Sequence, residues 1–310
     1  MGRERAETVI RPAVDTLQQC LGDADESTRS EAMLALRELC KHHAELFVPI
    51  ADDLRGVLDD DNTWIRERAL IVLGEIAAGR PEAIDPPFDD FEACLADDVP
   101  NVRSKAILRL GSIAETYPDA DRLSIDDFRA CLDDDSWTVC SSATTALASL
   151  AETHPETVRP VIDDILELLS PSVEFIGSGP GGEQIHIMLA LGRLGVTYPR
   201  EAPRIVSVLQ RIFDEDPWVR MEATEALLAI DAVDPEAATA AEGICALLLA
   251  DDESTEAIER FVAAKPAVRA LVITELRSRV GDMDSVDEKP TVAAAFRTIS
   301  TIDDAYLHLS

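Results

Sequence analysis

Basic charge is scarce in this chain of 310 residues. It has 28 lysine and arginine residues against 60 aspartate and glutamate residues, for a net charge of −32, and only four of the basic residues are lysines. Hydrophobic residues nevertheless make up 46% of the chain, which suffices for a continuous core and excludes a disordered acidic chain. Because a nucleic-acid groove concentrates basic side chains, nucleic acid is not the expected partner.

Long apolar runs and paired cysteine motifs are also missing. The longest apolar run, around Ile244 to Ala250, is far too short to span a membrane, and the first residues, MGRERAETV, lack the apolar segment of a secretion signal. The six cysteines include no CxxC pair. We therefore expect a cytoplasmic protein with no membrane segment and no metal site.

Residue types used in catalysis are present without the pattern that catalysis needs. The glycine-rich stretch GSGPGG at 177–182 lacks the Lys and the Ser or Thr of a phosphate-binding loop. Pairs of Asp recur at one position in four blocks, at 52–53, 89–90, 126–127 and 163–164. A copied pair indicates a solvated helix start that complements the helix dipole, not one tuned acid and base. We predict no enzymatic activity and no cofactor.

The chain does contain a block that returns every 37 residues. Its copies begin at Asp15, Asp52, Asp89, Asp126 and Asp163. Three of the cysteines, Cys20, Cys94 and Cys131, share one position of this block, as small buried side chains do. A fixed period of this size is typical of a solenoid, in which each repeat buries its apolar face only against its neighbours.

The second half of the block repeats in step with the first and has helical periodicity. Its apolar positions follow one another at intervals of four, four and three residues, which is the spacing of a helix with one buried stripe. In three aligned repeats these positions are Ile65, Val102 and Val139, then Ala69, Ala106 and Ala143, then Leu73, Leu110 and Leu147, then Ile76, Ile113 and Leu150. Each repeat is therefore predicted to be a pair of helices.

Most repeats also carry an Asp that is followed six residues later by an Arg, usually directly after Val or Ile. These pairs are Asp23 with Arg29, Asp60 with Arg66, Asp97 with Arg103, and Asp214 with Arg220. With this pattern the chain resembles the HEAT repeat family over roughly residues 8–265. The resemblance implies that the Asp and Arg side chains form a ladder between adjacent repeats. Cys140 and Gln184 stand where Arg is expected, so the ladder should be interrupted there.

The resemblance implies an all-α, right-handed α-solenoid of about six to seven HEAT-type helix pairs with a C-terminal capping helix. Between repeats five and six the period lengthens to 44 residues, because Asp163 aligns with Ser207. We expect residues 1–280 to form the solenoid, and residues 281–310 to form a linker and the capping helix with a short tail. Repeat arrays need such terminal caps because an end repeat must present a polar outer face.

In a HEAT stack the second helices line the concave face, so their residues opposite the buried stripe are candidates for binding a partner. The candidate residues are Trp64, Arg68, Ile71, Leu108, Arg193 and Trp218. Aromatic and arginine side chains beside exposed aliphatic ones are typical of interface hot spots. The alternative interpretation is that Trp64, Trp137 and Trp218, which all begin a second helix, pack each turn against the preceding helix.

The resulting hypothesis is a non-enzymatic scaffold that binds an unidentified protein through the concave face of the solenoid. Two alternatives stay open: a HEAT-like enzyme or lyase subunit, and an architectural subunit associated with nucleic acid. The Asp-rich, Lys-poor composition resembles that of proteins from salt-accumulating halophilic archaea, where screening makes such self-repulsion tolerable. A binder of basic proteins is the competing explanation of this charge.

Overall fold

The computed structural model describes most of the chain and divides it into two compact units, Met1–Leu168 and Leu169–Ser310. All the regular structure in the described residues is helical. The described residues are 3–117, 124–168, 182–215, 220–233, Ala240, Ile244 and 268–274.

The first unit alternates short first helices with longer second helices at the predicted 37-residue period. Its helices are α1 (Arg3–Leu21), α2 (Glu26–His43), α3 (Ala51–Val57), α4 (Thr63–Gly79), α5 (Phe88–Ala93), α6 (Pro100–Thr116), α7 (Ile125–Leu132), α8 (Trp137–Thr153), α9 (Pro155–Val158) and α10 (Ile162–Leu168). The second helices α2, α4, α6 and α8 pack on one another in this order, and each also packs on the first helix of its own repeat. The predicted all-α solenoid is confirmed.

An Asp in the turn of each repeat determines where the second helix begins. The side chains of Asp23, Asp60, Asp97 and Asp134 each accept a hydrogen bond, 2.8 Å long, from the backbone N–H two residues further on. This local bond favours a turn over continuation of the preceding helix. In two repeats the residue just before the second helix adds a cap, since Asp25 accepts from Thr28 N–H and Asn62 from Trp64 N–H.

The core of the first unit is the apolar stripe that the periodicity predicts. All twelve stripe positions of α4, α6 and α8 are at most 1% exposed. The first helices contribute a large apolar side chain at one repeated position, and these residues are Leu54, Phe91, Phe128 and Ile165. Full burial of such a side chain contributes about 2 kcal/mol. Each repeat therefore depends on its neighbours to cover its apolar face.

Helices α6 and α8 approach unusually closely because Gly111 has no side chain. A Cβ atom at Gly111 would lie 2.8 Å from the Cβ of Ala146 and 3.3 Å from its Cα. The second unit contains a similar close approach at a glycine, since a Cβ at Gly192 would lie 2.9 Å from the Cα of Ala226. Small residues at both positions allow the two backbones to come together.

The second unit contains α11 (Gly182–Thr197), α12 (Ala202–Glu215) and α13 (Arg220–Val233), followed by a helical segment at 268–274. Helix α11 packs on α12 and α13. The division after Leu168 falls inside the predicted solenoid, in the turn where the period lengthens. The predicted boundary at 280 and the capping helix lie outside the described residues and stay predictions, as does nearly all of the glycine-rich stretch.

Candidate protein-binding surface

Three arginines of the second helices each bridge two repeats. Arg29 pairs with Asp60 at 2.6 Å, Arg66 with Asp97 at 2.8 Å, and Arg103 with Asp134 at 2.7 Å. Each arginine also donates to the backbone carbonyl of the Asp six residues before it, at 2.8 to 3.0 Å. One guanidinium group therefore contacts two Asp residues, the carbonyl oxygen of the Asp in its own repeat and the carboxylate of the Asp in the next repeat. The side chains of Asp214 and Arg220 lie outside the described part of the chain.

These contacts change the acidity of the carboxylates that take part in them. Burial by itself would raise the pKa of Asp97, but hydrogen bonds from Arg66 and from the Val99 N–H outweigh it and hold the pKa below its ordinary value. The pKa values of Asp60 and Asp134 are lowered by the same balance. The carboxylates are thus stabilised in the charged form that pairs with arginine.

At Cys140, in the arginine position of the fourth repeat, a thiol makes only part of the same contact. Its Sγ donates to the carbonyl oxygen of Asp134 at 3.2 Å, as the arginines do, but it is too short to reach the next repeat. Burial raises the pKa of the Cys140 thiol to about 11. The side chain of Gln184, the other departure from the pattern, is not among those described.

A second row of polar contacts joins the first helices, and the sequence analysis missed it. Gln18 donates to Asp53 at 2.7 Å, Arg129 pairs with Asp164 at 2.9 Å, and Arg55 pairs with Asp90. In three of the four Asp pairs the second Asp, at 53, 90 and 164, is therefore engaged by the preceding repeat and not simply solvated. The first Asp is exposed, 98% at position 52 and 81% at 126. The constant 35-residue separation of donor and acceptor was a visible signal.

Two of the predicted binding residues are in direct contact. The Arg68 guanidinium lies 4.3 Å from the ring centroid of Trp64, one turn earlier on α4, which is a favourable cation–π distance. Trp64 and Trp137 are both half-buried. Trp64 thus keeps part of its surface exposed beside Arg68.

Aliphatic side chains continue this surface across three second helices. Leu34, Ile71 and Leu108 occupy the same repeat position on α2, α4 and α6, where Leu34 is 50% exposed and the other two are half-buried. We define the second-helix surface by the residues Leu34, Trp64, Arg68, Ile71 and Leu108. Arg193 is half-buried on α11 of the second unit, and Trp218 lies outside the described residues.

A charged group lies one turn beyond Ile71, and the sequence analysis missed it as well. Glu75 is flanked by Arg37 and Lys41 of α2 and by Arg109 of α6, and these four residues are named the Glu75 cluster. Burial raises the pKa of Glu75 despite the three nearby cations, and burial lowers the pKa of Arg109. Since Trp64, Arg68, Ile71 and Glu75 follow at i, i+4, i+7 and i+11, the helical spacing already pointed to this position.

Gly74 makes the position of Arg109 possible. A Cβ atom at Gly74 would lie 2.5 Å from the Cδ of Arg109, so the arginine stem crosses α4 where there is no side chain. Buried polar atoms normally have hydrogen-bond partners. Nevertheless, Nε of Arg37, Nε of Arg109 and Oε2 of Glu75 are buried and have none within the described part of the protein.

The described residues offer little to metal or nucleophilic chemistry. No group of three or more His, Cys, Asp or Glu side chains in these segments is placed to hold a metal ion. Burial raises the pKa of Cys40 and Cys131 to about 12 and that of Cys94 to about 11, which keeps these thiols protonated near neutral pH. Of the helices that the structure describes, none combines the length and apolarity needed to cross a bilayer.

Helix pairs that stack by their second helices define a helical-repeat protein of the HEAT or armadillo type. The profile of the family described as Adaptin N terminal region matches residues 50–273, so the chain belongs to that family. A second profile, described as non-SMC mitotic condensation complex subunit 1, matches residues 1–85. No curated protein sequence gave a significant match.

Solved structures with the same fold include karyopherins and an engineered protein. The structure of Kap121p bound to Pho4p has a TM-score of 0.67 at 15% identity, over 96% of this chain and 34% of that chain. The Kap95:Nup1 complex has a TM-score of 0.62 at 15% identity, over 87% of this chain and 36% of that chain. An engineered protein has a TM-score of 0.51 at 23% identity, over 71% and 97% of the two chains. The chain spans about a third of the karyopherins' length, and identities this low establish the fold alone.

Proposed function

We propose that this chain is a non-enzymatic scaffold that binds a protein partner on the second-helix surface of its first unit. The observation that carries the proposal is the row Leu34, Ile71 and Leu108, which leaves aliphatic area accessible beside Trp64 and Arg68. A contiguous apolar patch with an aromatic and an arginine at its margin is the usual composition of a protein-binding hot spot.

The similar structures support a protein partner without identifying it. Kap121p is described bound to Pho4p, to Ste12p and to the extreme C-terminus of the phosphatase Cdc14p. Each of these complexes joins a stack of helical repeats to another protein. The fold is therefore one on which protein binding occurs, and the residues on the surface must supply the specificity.

Removal of the aliphatic row is expected to abolish most of the binding. The double substitution Ile71→Ser and Leu108→Ser should lower the recovery of the bound protein in affinity capture from a native lysate by about tenfold, which corresponds to about 1.4 kcal/mol. The matched control is Val233→Ser, because Val233 is 52% exposed at the end of α13, in the second unit. Equal recovery with the double variant and the wild type would reject this surface.

An architectural subunit associated with nucleic acid is the second candidate, favoured by the match of residues 1–85 to a condensation complex subunit. The charges of the first unit speak against direct contact with nucleic acid, since Arg66 and Arg103 are already engaged by Asp97 and Asp134. Retention on DNA that weakens with salt, together with no specific protein in the capture, would support this second candidate over the first.

The proposed setting is the cytoplasm of a salt-accumulating organism, supported by the excess of 60 acidic over 28 basic residues. Raising KCl from about 0.1 M to about 2 M should then raise the melting temperature by about 5 °C or more, because added salt screens the repulsion among carboxylates. The melting temperature is measured by circular dichroism. A melting temperature that is constant or falls over this range would contradict the proposed setting.

A further inference from the structure

We infer that the Glu75 cluster is an anion-binding site for an acidic segment of the partner protein, which docks an apolar side chain on the second-helix surface. This inference rests on the proposed function and specifies the chemistry of the partner. The segment is expected to present Asp or Glu side chains to Arg37 and Arg109.

The first support is the hydrogen bonding of these two arginines. Five other arginines of the first unit each pair with an Asp of a neighbouring repeat or turn, and these are Arg29, Arg55, Arg66, Arg103 and Arg129. By contrast, Nε of Arg37 and Nε of Arg109 are buried and have no hydrogen-bond partner in the part of the chain that the structure describes. A guanidinium fork is suited to receive a carboxylate in two parallel hydrogen bonds.

The second support is the local charge. Arg37, Lys41 and Arg109 face two carboxylates, Glu75 and Glu38, the second of which pairs with Lys41 at 2.8 Å. Three cations therefore lie around Glu75 in a chain whose net charge is −32. A further carboxylate bound at this place would pair with the guanidinium groups of Arg37 and Arg109.

The third support is that the site is built and not incidental. Arg109 reaches the cluster only because residue 74 is a glycine, whose Cβ would collide with the arginine stem. The cluster also continues the stripe Trp64, Arg68 and Ile71 by one helical turn on α4. One extended segment can therefore contact the aliphatic row and the cluster together.

A short acidic segment fits this site better than a nucleic acid does. Charge repulsion between exposed groups decays over about 8 Å at physiological ionic strength, so a few carboxylates placed at the cluster meet mainly the local positive charge. A nucleic acid extends much further and would meet the exposed aspartates of the turns, such as Asp98, which is 91% exposed. The observations therefore favour a protein ligand.

The test is a selection of peptides of about 12 residues from a random library displayed on phage, with the full chain as bait in about 0.5 M KCl. Peptides retained by the wild type should contain Asp and Glu at about three times their frequency in the library, together with a large apolar residue. The double variant Arg37→Gln and Arg109→Gln should lose the acidic enrichment and keep the apolar one. In fluorescence anisotropy, a selected peptide should bind this variant about tenfold more weakly.

The matched control is Arg80→Gln, which removes a 37% exposed arginine from the turn after α4. It should keep the acidic enrichment and the wild-type affinity, and melting temperatures of all variants show whether they are folded.

Selected peptides without an acidic bias, or enriched in Lys and Arg, would overturn the inference. The proposed surface would still stand in that case if retention of the peptides depends on Ile71 and Leu108. Retention unchanged by Ile71→Ser and Leu108→Ser would instead reject the surface itself. Tighter binding of a random single-stranded oligonucleotide pool than of the selected peptide would also overturn the inference.

Discussion

Replacement of Asp97 by Ala is expected to lower the free energy of unfolding by about 3 kcal/mol. Asp97 accepts two hydrogen bonds from Arg66, at 2.8 and 2.9 Å, and a third from the Val99 N–H that starts α6. The side chains of Asp97 and Arg66 are 11% and 12% exposed, so the substitution leaves a largely buried guanidinium without its partner. Urea-induced unfolding, followed by the helical circular dichroism signal, measures the loss.

The control for this prediction is the adjacent residue. Asp98 lies 3.4 Å from Arg66, but its side chain is 91% exposed, and exposed ion pairs contribute little. Asp98→Ala should therefore change the free energy of unfolding by less than about 0.5 kcal/mol. Equal losses for the two alanine variants would show that the pair between repeats is not what stabilises this turn.

The contribution of Asp97 to the free energy of unfolding should decrease at low pH. Its pKa in the folded protein lies below the ordinary value of 3.8, so the unfolded chain binds the proton more readily. The stability that the charge adds is thus fully present above about pH 4 and is lost as pH falls through the folded pKa. The difference in stability between wild type and Asp97→Asn should be constant from about pH 7 to pH 5 and shrink below about pH 4. A difference that grows on acidification would contradict this assignment.

Replacement of Gly111 by Val is expected to destabilise the first unit by about 3 kcal/mol. The new Cβ would lie 2.8 Å from the Cβ of Ala146 and 3.3 Å from its Cα, and both atoms belong to the framework of α8 and cannot rotate away. The two helices would have to separate, which opens the core stripe between them. The urea midpoint of the variant, compared with that of the wild type, measures the effect.

A second glycine supplies the matched control for Gly111. Gly56 lies on α3, and a Cβ at this position would meet nothing within 4 Å. Gly56→Val should change the stability by less than about 0.5 kcal/mol, because no neighbour has to move. If both variants lose the same stability, the close approach of α6 and α8 is not the cause.

These two features connect the stability of the first unit to its binding surface. The Asp and Arg pairs and the contact at Gly111 hold the second helices next to one another, and those helices carry the row Leu34, Ile71 and Leu108. A variant that shifts one helix would displace the aliphatic row as well. Binding assays therefore require a melting temperature for each variant to show that the helices keep their places.

Much of the fold was predictable because its core repeats at helical spacing. Ile65, Ala69, Leu73 and Ile76 could be assigned to one buried stripe by counting residues, and all four are fully buried. The pairing partner of each arginine was harder to specify. Arg66 lies six residues after Asp60 in the sequence, yet its carboxylate contact is with Asp97 of the next repeat.

The candidate surface was predicted in part. Helical spacing placed Trp64, Arg68 and Ile71 on one face, and the structure shows Arg68 stacked on Trp64. The same spacing includes Glu75, but a glutamate on an exposed face of an acidic protein gives no sign of special interest. Its environment is set by Arg37 and Arg109, which are 38 and 34 residues away in the chain.

The sequence by itself determined the helix pairs, the period and the buried stripe, because these depend on local spacing and on the alternation of apolar and polar residues. Only the tertiary structure decided which charged side chains meet, since ion pairs between repeats depend on how far one helix is displaced along the next. It also decided that Gly74 admits the stem of Arg109, an approach between helices that no local pattern encodes. The partner of each charged side chain is therefore fixed only when packing has brought the helices together.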